Sequence, residues 1–243
     1  MKHQRTNPND ATSTGIRMTD LICFDCDGVL VDSEGLATET MVECLSALGI
    51  ELSIAEASAM FTGKSAAHAR NILREDLGVD LSPSMEARYD ELLLQRFHHQ
   101  LRAVSGIRAV LSGLEVPSCV TSNSGHRRLA LSLRLTGLAE HFGNHVFSAE
   151  DVAEGKPAPD LFYFAAARLG ADIRRCTVID DSVSGISGAV AAGASAIGFT
   201  GGSHCGPESA GSLLAAGASF VVGSAQELAE YLRHQAAWSL TGI

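Results

Sequence analysis

Short apolar runs that end in polar or glycine-rich stretches recur along this chain and set its architecture. Leu21 to Phe24 is such a run, stopping at Asp25 and Asp27 and turning at Gly28. An apolar segment of this length with so abrupt an end predicts a buried strand of a parallel sheet. Similar runs at Ser118 to Thr121, His145 to Phe147, Cys176 to Ile179, Ala196 to Phe199 and Phe220 to Val222 predict further strands. Between them the apolar period changes to that of a helix, over Arg127 to Leu135, Pro159 to Leu169 and Ile186 to Ala192. Alternating strands and helices predict an α/β fold, a Rossmann-like parallel sheet core with helices on both faces.

Residues 33–104 break that rhythm. Leu36, Met41, Cys44, Leu45 and Leu48 fall on one helical face with a stop at Gly49. Helical patterns follow over Ala55 to Met60, Ala66 to Leu77 and Ser84 to Leu101, with no strand between them. The expected organisation is a catalytic core of residues 19–32 and 105–243, interrupted after strand one by an all-helical cap over residues 33–104. An insertion at that point must sit above the strand ends, as a lid over Asp25 and Asp27. Residues 1–18 are polar, lack the apolar stretch of a secretory signal, and are expected to form a disordered tail.

In open α/β sheets, ligands bind beyond the carboxyl ends of the strands. Four groups of polar residues end strands or open helices there: Asp25 with Asp27 and Gly28, Ser122 with Asn123, Lys156 between Gly155 and Pro157, and Asp180 with Asp181. Side chains two apart on a strand share a side, so Asp25 and Asp27 converge on one small volume. Two like charges about 4 Å apart at an effective dielectric near 20 repel by roughly 4 kcal/mol. Four carboxylates therefore call for a cation, and an all-oxygen donor set suits Mg²⁺. Lys156 adds positive charge, and helix N-termini after Ser122 and Ser182 offer free backbone N–H groups to an anion. Such a set meets the requirements of phosphoryl transfer. Asp25 would attack phosphorus and Asp27 would act as general acid and then base, kept protonated by its surroundings as substrate arrives. Ser122 and Lys156 would hold the phosphoryl group. Asp180 and Asp181, with Asp25 and the main-chain carbonyl of Asp27, would hold Mg²⁺.

Composition removes several alternatives. Of 243 residues, 46% are hydrophobic and 19% charged, enough to bury a core in a soluble protein. A net charge of −10 disfavours a nucleic-acid partner, and no apolar run approaches the roughly 20 residues of a membrane helix. No protein partner is evident. Six scattered cysteines without a secretory signal predict reduced thiols in a cytoplasm, and Cys23 and Cys26, three apart on a strand, point to opposite faces.

Taken in order, Asp25-Cys26-Asp27-Gly28-Val29-Leu30-Val31-Asp32-Ser33, Ser122-Asn123, Lys156-Pro157 and Asp180-Asp181-Ser182 resemble the four motifs of the haloacid-dehalogenase-like superfamily. The resemblance spans Asp20 to about Leu232. The helical insertion resembles the small cap of the sugar-phosphatase and β-phosphoglucomutase branch. It implies a Mg²⁺-dependent phosphohydrolase with an aspartate nucleophile, acting on a small phosphorylated metabolite such as a sugar or sugar-acid phosphate. Mutases of that branch carry a cap histidine where this chain has Ala37 and a cap arginine where it has Ala66, which favours hydrolysis over a mutase. Asp27 disfavours dehalogenase and phosphonatase chemistry. A phospho-switch such as a receiver domain remains a third reading, but there the acidic pair precedes the phosphorylated aspartate, whereas Asp180-Asp181 comes last.

Other residues admit quieter readings. Asp32 and Ser33 read as caps of the first lid helix. Lys64 is either a substrate contact from the lid or a solvated turn residue. Asn123 and His126 are each a candidate substrate contact or a helix cap, the cap being preferred for His126. His98 and His99 read as solvated. The loop Gly201-Gly202-Ser203-His204-Cys205-Gly206 reads as a flexible edge loop with no metal role.

Overall fold

The computed structural model describes residues 19–61 and 66–241, and of residues 66–68 and 235–241 the backbone alone. The tail 1–18 and Lys64 lie outside the described residues.

In chain order the elements are β1 (Leu21–Phe24), α1 (Glu34–Ser46), α2 (Ile54–Phe61), α3 (Ala66–Glu75), α4 (Pro83–Gln100), α5 (Ile107–Ser112), β2 (Ser118–Ser122), α6 (His126–Leu135), α7 (Ala139–Phe142) and β3 (Val146–Ser148). There follow α8 (Asp160–Leu169), β4 (Cys176–Asp180), α9 (Val183–Ala192), β5 (Ser195–Phe199), α10 (Ser209–Ala215), β6 (Phe220–Val222) and α11 (Ala225–Thr241). The strands form one sheet of order β3-β2-β1-β4-β5-β6, every pairing parallel. This is the Rossmann-like α/β fold that the apolar runs predict, with strand limits differing by a residue at most. Helices α5, α7, α10 and α11 come in addition to those singled out by pattern.

The strand order explains where ligands can gather. From β1 the chain moves outward through β2 and β3, then crosses back to β4 on the other side of β1. The crossover connections leave a crevice at the carboxyl ends of β1 and β4, the topological switch point of the sheet. Phe24 pairs with Ile179 there, and the amide of Asp25 donates to the Ile179 carbonyl at 2.9 Å. Two acidic loops are thereby held side by side.

Alternation along β1 feeds both faces of the sheet. Ile22 and Phe24 pack with Val120, Leu129, Ile179 and Ile197 on one face. Leu21 and Cys23 pack with Phe162, Val178, Ile186 and Ala189 on the other. Phe24 is fully buried, so Phe24→Ala would cost about 3–5 kcal/mol. The strand is a rigid mount for the aspartate that follows it.

Helices α1 to α4 all lie between β1 and β2 in the chain and pack on one another. Leu45, Leu73 and Val79 form a small apolar cluster of their own with Met41, Phe61 and Met85 around it. Ser82 caps α4 by accepting from the amide of Met85, and Pro83 occupies its first turn, where a missing N–H costs nothing. Helix α4 also reaches the main core: Leu93, Phe97 and Leu101 join the cluster of Val29, Leu30 and Val31. Arg96 of α4 is ion-paired with both Glu39 and Glu43 of α1. Among the described residues no helix is long and apolar enough to cross a membrane.

Candidate active site

Asp25 follows β1 directly and is almost fully buried. Lys156, 3% exposed, places Nζ 2.7 Å from Asp25 Oδ1 and 2.7 Å from Asp180 Oδ2. A lysine so buried is tolerable because carboxylates receive it. Burial opposes its charge, but Asp180 and Asp25 outweigh burial and raise its pKa. The loop carrying it is fixed by Asn123, whose Nδ2 donates to the Lys156 carbonyl at 2.9 Å while its Oδ1 accepts from the Lys156 amide at 2.8 Å. Asn123, a candidate substrate contact from sequence, thus spends its amide on positioning Lys156. Ser122 closes β2, is 2% exposed, and accepts from the Ser124 amide at 3.1 Å.

Asp180 ends β4. Its Oδ1 accepts from the amide and hydroxyl of Ser182, at 3.0 and 2.7 Å, and Ser182 in turn caps α9. Gly185 leaves room for this carboxylate, because a Cβ there would strike it. One carboxylate oxygen from each of Asp25, Asp180 and Asp181 lies within 4.8 Å of the others. Burial pushes the Asp25 carboxyl well up; Lys156 opposes this, while Asp180, Asp181 and Asp27 add to it. Burial likewise pushes Asp181 up. Three carboxylates against the Lys156 ammonium and the His204 imidazolium still leave negative charge unbalanced, and hard oxygen donors at this spacing fit a small divalent cation such as Mg²⁺.

Asp27 faces different partners. Its Oδ1 accepts from Ser33 Oγ at 2.5 Å and Arg128 Nη2 at 2.7 Å, and its Oδ2 from Ser124 Oγ at 2.6 Å. The carboxylate is thus absent from the acidic cluster, leaving only its main-chain carbonyl for the metal role assigned from sequence. Burial alone would raise the Asp27 pKa, but the Arg128 guanidinium and the bonds from Ser124 and Ser33 hold it below the usual carboxylate value. Without substrate, these partners favour the carboxylate form of Asp27, whereas the expectation of a protonated Asp27 concerns the site as substrate arrives. Gly28 adopts φ +82°, which only glycine takes readily. A Cβ there would also land 2.8 Å from the His204 ring and closer still to the Asp181 carboxylate.

The structure brings Asp25, Asp27, Ser122, Lys156, Asp180 and Asp181 to one crevice, and adds residues that sequence reasoning missed. Arg128 on α6 pairs with Asp27 and lies 5.3 Å over the Phe97 ring of α4. Its Nε is buried without a partner among the described residues. Glu34, the first residue of α1, is raised to about 7 by burial, Asp27 and Asp181, against Arg128 and His204. Ser33 makes no cap bond to α1 and Asp32 accepts from the amide and hydroxyl of Ser203, at 3.1 and 2.8 Å, so the helix-cap reading of this pair is corrected. His204 is no loose loop residue either: its side chain is 8% exposed and its Nε2 lies 2.8 Å from Asp181 Oδ2. Burial opposes its protonation, but the bonds to Asp181 and Cys205 prevail and push it up to about 11. His126 opens α6 and pairs with Asp151 at 2.9 Å on the surface. His98 and His99 are exposed.

A cavity of about 740 Å³ separates the strand ends from the inserted helices. Asp25, Asp27 and Lys156 line its floor; Ala37, Met41 and Tyr89 line its upper wall. A volume of this size takes a small metabolite rather than a macromolecule.

Residues 19–193 match the model of the haloacid dehalogenase-like hydrolases. Over 173 residues the chain is 31% identical to the 6-phosphogluconate phosphatase of Escherichia coli (strain K12), covering 71% of this chain and 78% of that protein. Among solved structures, a conserved haloacid dehalogenase-like protein of Agrobacterium tumefaciens str. C58 is 38% identical with a TM-score of 0.80, covering 90% of this chain and 99% of its own. A HAD family hydrolase of Deinococcus radiodurans R1, solved with bound phosphate and sodium, is 33% identical with a TM-score of 0.75. That superposition covers 90% of this chain and 97% of the other.

Proposed function

The chain belongs to the haloacid dehalogenase-like hydrolases and is a phosphatase of that family, and from this premise we propose that it hydrolyses a small sugar or sugar-acid phosphate through an aspartyl-phosphate at Asp25. The observation that carries the reading is the pairing of Lys156 Nζ with Asp25 Oδ1 and Asp180 Oδ2, which holds a nucleophile, a cation and a metal-ligand candidate within one buried cluster. The substrate class rests on the size of the cavity and on the similarity to a 6-phosphogluconate phosphatase.

Each residue then has a role. Asp25 attacks phosphorus, and Lys156 with Ser122 holds the phosphoryl oxygens against the floor of the cavity. Asp180 and Asp181, with Asp25 and the Asp27 carbonyl, would hold Mg²⁺, which when bound neutralises charge on the nucleophile and the phosphoryl oxygens. Asp27 stands on the side of the leaving group. To protonate the ester oxygen it must first take up a proton, so Arg128 has to yield its grip as substrate enters. Asp27 then returns as base for the water that cleaves the acyl phosphate. Helices α1 to α4 act as the cap that excludes bulk water and selects the alcohol.

Hydrolysis is favoured over mutase chemistry by Ala37, which lines the cavity and offers no acid–base group. Assay of a panel of phosphomonoesters with and without EDTA tests the reading. Metal-dependent phosphate release from a sugar or sugar-acid ester is the expected result. Isomer conversion exceeding phosphate release would replace it with the mutase.

A further inference from the structure

The loop after β5 reaches the acidic cluster through His204, although no step of the reaction uses that residue. Ser203 fastens this loop to Asp32, at the junction where the chain leaves for α1, through its amide and hydroxyl. His204 then turns inward and directs Nε2 at Asp181 Oδ2, at 2.8 Å. Cys205 Sγ lies 3.4 Å from the same ring nitrogen. Two glycines make room for the imidazole: a Cβ on Gly28 would lie 2.8 Å from its Cε1, and a Cβ on Gly202 2.8 Å from its Nδ1. The ring is buried, and Nδ1 has no partner among the described residues. A buried polar ring with an unpaired nitrogen is unfavourable. It persists because neighbours on both sides fix its position.

We propose that His204 is a positioning residue for the metal site, holding Oδ2 of Asp181 so that the other carboxylate oxygen is presented to the cation shared with Asp25 and Asp180. An aspartate without this bond rotates about its side-chain torsions and loses entropy on ligation; one already held does not. Partners of this kind behind a metal ligand are worth about 10–100-fold in metal affinity. The inference rests on the reading that Asp25, Asp180 and Asp181 hold a divalent cation.

The test is calorimetric titration of Mg²⁺ into the full chain without substrate, comparing wild type with His204→Ala, His204→Asn and His204→Gln. A glutamine amide reaches the position of Nε2, whereas the shorter asparagine does not. His204→Gln, which keeps the hydrogen bond and loses the imidazolium charge, should bind at least as tightly as wild type, and His204→Ala and His204→Asn about tenfold more weakly than His204→Gln. A Mg²⁺-induced rise in melting temperature should follow the same order. If His204→Ala does not fold, the Asn–Gln pair decides. Wild-type binding with equal affinities across the variants overturns the inference while leaving the cation site in place. No Mg²⁺ uptake by wild type overturns the cation site, and the inference with it.

Discussion

Arg128 donates from Nη2 to Oδ1 of Asp27 at 2.7 Å, across a seam where α6 meets α4 and the first acidic loop. One guanidinium therefore meets both Asp27, the proposed acid–base residue, and an aromatic ring of the inserted helices. Its charge keeps Asp27 ionised at rest, and its position on the cavity wall makes it sensitive to whatever fills the cavity.

Arg128→Met should lower stability by about 3 kcal/mol, because it strands the buried Asp27 carboxylate. Adding Asp27→Asn to that variant should recover a large part of the loss, since the uncompensated charge is then gone. Urea unfolding of the two single variants and the double variant measures both terms; a fully additive cycle would show that the pair is not coupled.

Asp25→Asn should abolish turnover by about 10³-fold or more, as loss of a nucleophile does. It should also raise the melting temperature in EDTA. Burial and three neighbouring carboxylates push the Asp25 pKa up, so its ionised form is disfavoured in the folded state. Removing the charge relieves that cost. A fall in melting temperature on substitution would mean that the contact with Lys156 outweighs the repulsion.

Glu34 gives the protein a pH-dependent stability. Its folded-state pKa of about 7 lies above the ordinary carboxyl value of 4.5. The folded chain therefore holds a proton that the unfolded chain releases, and this contribution is full below pH 4.5 and lost as pH rises through 7. The effect is at most about 3 kcal/mol. Stability of Glu34→Gln measured from pH 4 to pH 8, flanking that window, should decline less than that of the wild type over the same range.

Much of the fold is legible in the sequence because each strand is a short apolar run closed by a polar stop. The same stops mark Asp25, Ser122, Asp180 and their neighbours, since a parallel sheet presents every strand end to one crevice. What escapes is set by orientation. Arg127 and Arg128 are adjacent in a helix, and only the packing of α6 on α4 decides that Arg128 turns toward Asp27. His204 sits in a glycine- and serine-rich loop with no periodicity to give it a direction. Ser33 has the type and position of a helix cap, yet its hydroxyl goes to Asp27 instead. The charge state of Asp27 was out of reach for the same reason: it depends on a residue 101 positions away.

The phosphorylated state of Asp25 is the most direct test. Asp27→Asn lacks the acid of the first step and the base of the second, so when mixed with Mg²⁺ and an aryl phosphate, whose leaving group departs without an acid, and quenched in acid it should accumulate a covalent adduct of one phosphoryl group. Mass spectrometry of the peptide containing Asp25 should place the adduct on that residue, with none in Asp25→Asn. A phosphoryl group found on another residue, or an unmodified chain during rapid turnover of the same variant, would contradict the mechanism.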